Sequence, residues 1–192
     1  MAIYVISGAP GTGKTAVINE LKKHGILVLE EAARKIAMTD RRFSGKSIKE
    51  INLYEFHREI LNLQKKTFEI FNARKKKVVF SDRGIIDTIA YMKWNKLKVS
   101  GEAIKYVHKF RYNKVFVMGF LDFYETDELR KETEEEQKEI HEAIIETYVG
   151  FGYNPVIVPA MPVEERAKFI LSRIHDHNFP KSLKTSPNFL KT

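Results

Sequence analysis

Five short runs of β-branched and aromatic residues punctuate the chain, and between them apolar residues recur every three or four positions. The runs are IYVIS (3–7), ILVLE (26–30), VVFS (78–81), KVFVMG (114–119) and PVIVP (155–159). Strand-sized runs alternating with helical patterns predict an α/β domain built on a parallel sheet. The spacing predicts a first helix from Lys14 to Lys23, ended by His24-Gly25, where glycine supplies a C-terminal cap. The longest helix is expected from about Ser47 to Ala73, with Leu53, Phe56, Ile60, Leu63, Thr67 and Phe71 as its buried stripe.

After the fourth run the pattern changes. Residues 122–138 are polar, in the manner of a lid that closes over a ligand. A helix follows with Ile140, Ile144 and Tyr148 on one face and Gly150 and Gly152 beyond its end. The acid run Glu134 to Glu136 suits a helix start, favoured by the helix dipole, better than a metal site. The last helix starts near Pro162 and should bury Val163, Ala167, Ile170, Leu171 and Ile174. One domain over residues 1–175 is therefore expected, with a basic tail at 176–192 whose Phe179, Phe189 and Leu190 are available to dock on the body.

At 192 residues the chain can bury one sizeable core. Its longest uncharged apolar stretches, such as VFVMGFL at 115–121, are too short for a membrane span. The opening MAIYVISGA lacks a basic leader and runs straight into a glycine loop, so a first strand and a cytoplasmic location are expected. Without cysteine, thiol redox chemistry, disulfides and cysteine-ligated zinc are excluded. The net charge of +8 favours anionic partners, either a nucleotide with its acceptor or a nucleic acid. Composition leaves the oligomeric state open.

The chemistry starts at residues 8–16. Gly8-Ala9-Pro10-Gly11-Thr12-Gly13-Lys14-Thr15, followed by Ala16, matches G-x-x-x-x-G-K-[ST] in full, after a strand and at the start of a helix. In this pattern glycines let successive N–H groups turn inward onto phosphate oxygens, and the helix adds its positive N-terminus. Lys14 is placed for the β- and γ-phosphates of ATP, and Thr15 for Mg²⁺.

In parallel α/β sheets ligands bind beyond the carboxyl ends of the strands. The second run ends in LEEAAR, so Glu30 or Glu31 could position an acceptor hydroxyl or take its proton, with Arg34 nearby. The third ends in Asp82-Arg83, a carboxylate for Mg²⁺ beside a planar fork suited to phosphate. Asp87 either joins them or caps and pairs with Arg83 structurally. Asp127 and Arg130 fall in the lid-like segment, where an arginine could neutralise charge on the transferring group.

GAPGTGKT, EEAAR, SDRGIIDTIAY and TDELR, in that order, resemble the AAA-domain-like P-loop ATPase and kinase family related to ribosylnicotinamide kinases, and more broadly nucleoside and nucleoside monophosphate kinases. The resemblance extends to about Ile174. It implies a three-layer α/β/α sandwich with a five-stranded parallel sheet and an ATP-Mg²⁺ donor. By the same resemblance Glu31 or Glu30 is the acid after the second strand, Asp82 and Arg83 the pair after the third, and Arg130 the lid arginine. The residues that would identify one particular base or sugar have no match.

Phosphoryl transfer to a small nucleoside or nucleotide acceptor is the resulting expectation. A regulatory GTPase is disfavoured, since NKLK at 95 and NKVF at 113 both lack the aspartate of N-K-x-D. An AAA+ motor would need a further helical domain. The remaining alternatives are a slow ATPase and a nucleic-acid enzyme such as a polynucleotide 5′-hydroxyl kinase. Basic clusters at Arg74–Lys77 and Lys105–Lys114, the latter with Tyr106, Phe110 and Tyr112 interleaved, suit the second. An amphipathic helix with buried aromatics accounts for Lys105–Lys114 equally. HDH at 175–177 fits surface histidines at a helix end rather than metal ligands.

Overall fold

The first strand, β1 (Ala2–Ser7), is buried at every position, as a central strand must be when both faces of a parallel sheet are covered. The structure, a computed structural model, describes residues 2–73, 78–121 and 133–174. In it β1 lies between β3 (Val78–Asp82) and β4 (Lys114–Met118), flanked in turn by β2 (Val28–Leu29) and β5 (Val156–Val158). All neighbours are parallel, giving the order β2-β3-β1-β4-β5. The register sets Ile6 beside Asp82 and Ser7 beside Val117, so the carboxyl ends of the three central strands meet at one edge.

Strand alternation supplies two cores. Ile3, Val5, Val79, Val115 and Val117 face the layer formed by α3 (Leu53–Ala73), α4 (Ile85–Trp94), α5 (Gly101–Lys109) and α6 (Glu134–Gly150). Tyr4, Ile6, Phe80, Phe116 and Met118 face α1 (Lys14–Lys23) and α7 (Val163–Ser172). Each such wholly buried large side chain contributes about 1.5–3 kcal/mol. The result is the three-layer α/β/α sandwich, with α2 (Ala32–Thr39) packed against α3.

Several elements differ from the sequence expectation. The second strand keeps only Val28 and Leu29, because it is an edge strand paired with β3 alone. The long helix starts at Leu53, not Ser47. Ser47 and Glu50 bond reciprocally around a single 3-10 turn, Ile51 is extended, and the Asn52 side chain then accepts the Glu55 N–H at 3.1 Å to open α3. The buried face of α3 is His57, Ile60, Leu61, Gln64 and Phe68, with Leu53, Phe56, Leu63, Thr67 and Phe71 half-buried along its edge. Two polar residues inside that face hid its true direction. On α7, Val163 is 38 % exposed and Arg166 is buried.

Residues 134–138 form the first turn of α6, capped by the Thr133 hydroxyl accepting the Glu136 N–H while the Glu136 carboxylate accepts the Thr133 N–H. Gly150 is the last residue of α6 rather than lying beyond it. Arg74–Lys77, Asp127, Arg130, the HDH triplet and the basic tail lie outside the described residues. Among the described residues no helix is long and apolar enough to cross a membrane.

Candidate functional site

Beyond Ser7 the backbone turns through Gly8, Gly11 and Gly13, at φ of 133°, 78° and 78°, before α1 opens at Lys14. At Gly8 two constraints coincide: the left-handed φ, and the Met118 carbonyl oxygen 2.9 Å from where a Cβ would stand. No side chain caps α1, so its first N–H groups are left to the loop. The Lys14 ammonium crosses the loop and donates to the Ala9 carbonyl at 2.6 Å and the Thr12 hydroxyl at 3.3 Å. Burial and then the charge of Arg83 push its pKa down to about 7, against the pull of Asp82, Glu31 and Asp87.

Arg83, directly after β3, has a φ of 64°, a conformation that costs a non-glycine residue and persists where surroundings enforce it. Its N–H donates to the Ile6 carbonyl at 3.0 Å, and the Ser81 hydroxyl donates to its carbonyl at 2.6 Å. So held, the guanidinium donates through Nε to Glu31 at 2.8 Å and through Nη1 to the Gly8 carbonyl at 3.1 Å. It lies 3.6 Å from Asp87 and 5.1 Å above the Tyr91 ring. Burial works to raise the Glu31 carboxyl, but Arg83, by charge and hydrogen bond, together with Lys14 and Arg34 holds it below its ordinary value. Asp82 moves the other way: burial and the neighbouring Glu31 push it up to about 6 despite Arg83 and Lys14.

The two adjacent acids thus part company. Glu30 is 79 % exposed and paired with Lys22 at 2.9 Å, whereas Glu31 meets Arg83. Asp87 is wholly buried and accepts from the Gly84 N–H at 2.8 Å, from Tyr148 at 2.5 Å and from Ser7. Those bonds tie β1, α4 and α6 together. Gly84 has no room for a side chain, because a Cβ would meet the Tyr112 and Tyr148 hydroxyls at 2.8 and 2.9 Å.

Two adjoining clefts open at Asp82. One, of about 230 Å³, has apolar walls from Val28, Leu29, Leu63, Phe68 and Phe71, with Glu30, Lys35, Gln64, Asp82 and Arg83 also at its lining. Gln64 is buried, donating to the Gly84 carbonyl at 3.1 Å and accepting from Thr88 at 3.0 Å. The other, of about 520 Å³, gathers Thr15, Asp82, Glu30 and Glu31 with the cations Lys22, Arg34 and Lys35. Thr15 and Asp82 in one cleft offer a hydroxyl and a carboxylate, hard oxygen donors of the kind that suit Mg²⁺ held jointly with phosphate oxygens.

Gln64 and Arg166 are among the buried polar residues that the sequence did not single out. Arg166 is 1 % exposed and donates to the carbonyls of Thr12, Pro159 and Gly119 at 2.6, 2.9 and 3.1 Å. Its signal was present as a lone charge four residues before Ile170 on an apolar helix face. The aromatics of Lys105–Lys114 are used within the fold. Tyr106 stacks on Phe110 at 4.3 Å and donates to the Lys65 carbonyl, and the buried Tyr112 hydroxyl accepts the Ile85 N–H.

A family model described as an AAA domain matches residues 3–166, and the chain belongs to that family. No curated protein sequence matches it. Among solved structures, deoxyadenosine kinase from M. mycoides, with products dCMP and dCDP bound, superposes with a TM-score of 0.57 at 15 % identity over 88 % of this chain and 97 % of that one. Thymidylate kinase from Ehrlichia chaffeensis gives 0.62 at 12 % identity over 89 % and 97 %. The NadR protein in complex with NR gives 0.60 at 22 % identity over 82 % of this chain and 45 % of that one. The shared property is the fold, a five-stranded parallel sheet between helical layers.

Proposed function

We propose that this member of the AAA domain family moves the γ-phosphoryl group of ATP, bound with Mg²⁺, to a nucleoside, nucleotide or related small acceptor. The observation that carries the reading is the continuous linkage from Gly8 through Arg83 to Glu31, beside an apolar cleft with room for a flat ring. It couples the donor loop to a half-buried acid in the adjoining cleft. The likeness in fold to a deoxyadenosine kinase and a thymidylate kinase supports it.

In this reading the loop from Gly8 to Ala16, through the backbone N–H groups of all but Pro10, and the Lys14 ammonium hold the donor phosphates. Thr15 and Asp82 would hold Mg²⁺, which when bound neutralises charge shared between phosphate oxygens. Glu31 orients the acceptor hydroxyl and receives its proton. Arg83 keeps Glu31 ionised and weakly basic, so proton transfer comes late, in keeping with a loose transition state that needs little help from a base. Arg83 also meets charge on the transferring group, the role assigned to Arg130 from the lid side. Catalysis is then chiefly positioning and electrostatics.

Glu31→Gln is expected to lower kcat about 10²–10³-fold with little change in the KM for MgATP, while Glu30→Gln stays within about threefold of wild type. Steady-state kinetics of the two variants side by side decides the assignment. Full activity in both would remove the acid from the mechanism.

The raised Asp82 pKa sets an acid limit. Binding a cation requires the carboxylate, so kcat/KM for MgATP should fall below pH 6, where Asp82 holds its proton. The stability that protonated Asp82 contributes is fully present below its ordinary 3.8 and is lost as pH rises through about 6. Asp82→Asn should therefore lose activity at every pH and lose this dependence of stability in the same window. An unchanged acid limb in residual Asp82→Asn activity would assign it elsewhere. Labelled ATP offered with nucleosides, nucleoside monophosphates and RNA 5′-hydroxyl ends tests the function as a whole. Label released only to water would favour an ATPase, and label on RNA ends a polynucleotide kinase.

A further inference from the structure

We infer that Arg166 is a positioning residue for the phosphate-binding loop, fixing the Thr12–Gly13 peptide so that the Gly13 N–H is presented to bound phosphate. This rests on the donor-site reading above. Arg166 projects from α7, on the side of the sheet where α1 also packs, and its three guanidinium nitrogens each donate to a different segment. Nη1 reaches the Thr12 carbonyl in the loop at 2.6 Å, Nη2 the Gly119 carbonyl after β4 at 3.1 Å, and Nε the Pro159 carbonyl after β5 at 2.9 Å.

In a trans peptide the carbonyl oxygen of one residue and the N–H of the next point to opposite sides of the chain. Anchoring the Thr12 oxygen toward α7 therefore turns the Gly13 N–H away from α7. The charge on the donor shortens and strengthens this bond and polarises the peptide, making that N–H a better donor. Gly13 contributes through its φ of 78°, which a glycine adopts without strain and which sets the direction of the peptide that Arg166 holds. The fork is also what distinguishes arginine here. A lysine could bring the charge to one carbonyl but could not span three carbonyls on three segments in one plane.

The alternative is that Arg166 only knits α7 to the sheet, which would affect melting without affecting phosphate. Binding of a non-hydrolysable MgATP analogue and of Mg-tripolyphosphate, measured by calorimetry on folded protein, separates the two. Arg166→Ala is expected to weaken both ligands about 10–100-fold, the scale of a lost charge-assisted hydrogen bond. Arg166→Lys should fall between Arg166→Ala and wild type, and added methylguanidinium should restore part of the affinity of Arg166→Ala. Wild-type affinity for both ligands in folded Arg166→Ala, or a loss confined to the nucleotide and absent for tripolyphosphate, would overturn the inference. If Arg166→Ala does not fold, unchanged affinity in Arg166→Lys overturns it and a loss in that variant supports it. Wild-type protein that binds neither ligand overturns the donor-site reading itself, and this inference with it.

Discussion

Lys14→Ala is expected to lower phosphoryl transfer by about 10³-fold or more, the scale of removing a charged stabiliser from a preorganised transition-state site. Stability should move the opposite way. Lys14 is buried, and its ammonium pays a desolvation cost that lowers its pKa to about 7. The Ala9 carbonyl that it bonds keeps a second donor, the Thr12 hydroxyl at 2.9 Å, so removing the ammonium leaves that oxygen satisfied. Lys14→Met, which fills the same space, should therefore stabilise the fold by about 1–3 kcal/mol at neutral pH. The sign follows from linkage: a depressed lysine pKa contributes stability that is fully present above its ordinary 10.5 and lost as pH falls through about 7. Wild-type protein should gain stability across that window and Lys14→Met should not. Denaturant melts at several pH values check this, and a less stable Lys14→Met at pH 7 would remove the burial argument. Turnover within tenfold of wild type in Lys14→Ala would sink the donor-site assignment.

Arg83→Met is expected to be the most damaging change to both activity and fold. It removes the partner of Glu31 and the cation beside Asp87, and it takes a donor from the Gly8 carbonyl. Arg83 and Glu31 are half-buried, so deleting one member should cost about 1–3 kcal/mol, below the roughly 3–5 kcal/mol of a fully buried pair, because the remaining charge is only partly desolvated. Asp87 retains donors from Gly84, Tyr148 and Ser7, so most of the loss should trace to Glu31. Adding Glu31→Leu should then recover much of the stability and none of the activity. Urea titrations of the single and double variants measure that coupling. A double variant no more stable than Arg83→Met would show that the pair is not the source of the cost.

The glycine-rich loop and the helix it opens were legible in the sequence because their geometry is local. Eight consecutive residues carry the glycines, the lysine and the threonine, and backbone geometry over so short a span depends on little else. The five runs and their parallel order of layers were legible for a similar reason, since period-two and near-3.6 patterns report which faces are covered. Edges were less so. The start of α3 was settled by the pairing of Ser47 with Glu50, and the length of β2 by having only one neighbour.

The pairing of the acids needed the tertiary structure. Glu30 and Glu31 are the same residue type at adjacent positions, and only the pairing of Leu29 with Ser81 and the turn into α2 decide which of them meets Arg83. Asp87, expected either to join the site or to cap, is surrounded by donors from β1, α4 and α6 that lie up to 80 residues away. Gln64 and Arg166 were not marked for burial by the periodicity, because a polar side chain at a covered position breaks the apolar stripe, and their partners lie on distant segments. Sequence by itself determined the glycine-rich loop and the sheet that carries it. The pairing of distant charges came only from the folded chain, because a hydrogen bond between strand ends depends on register and approach, which no local pattern encodes.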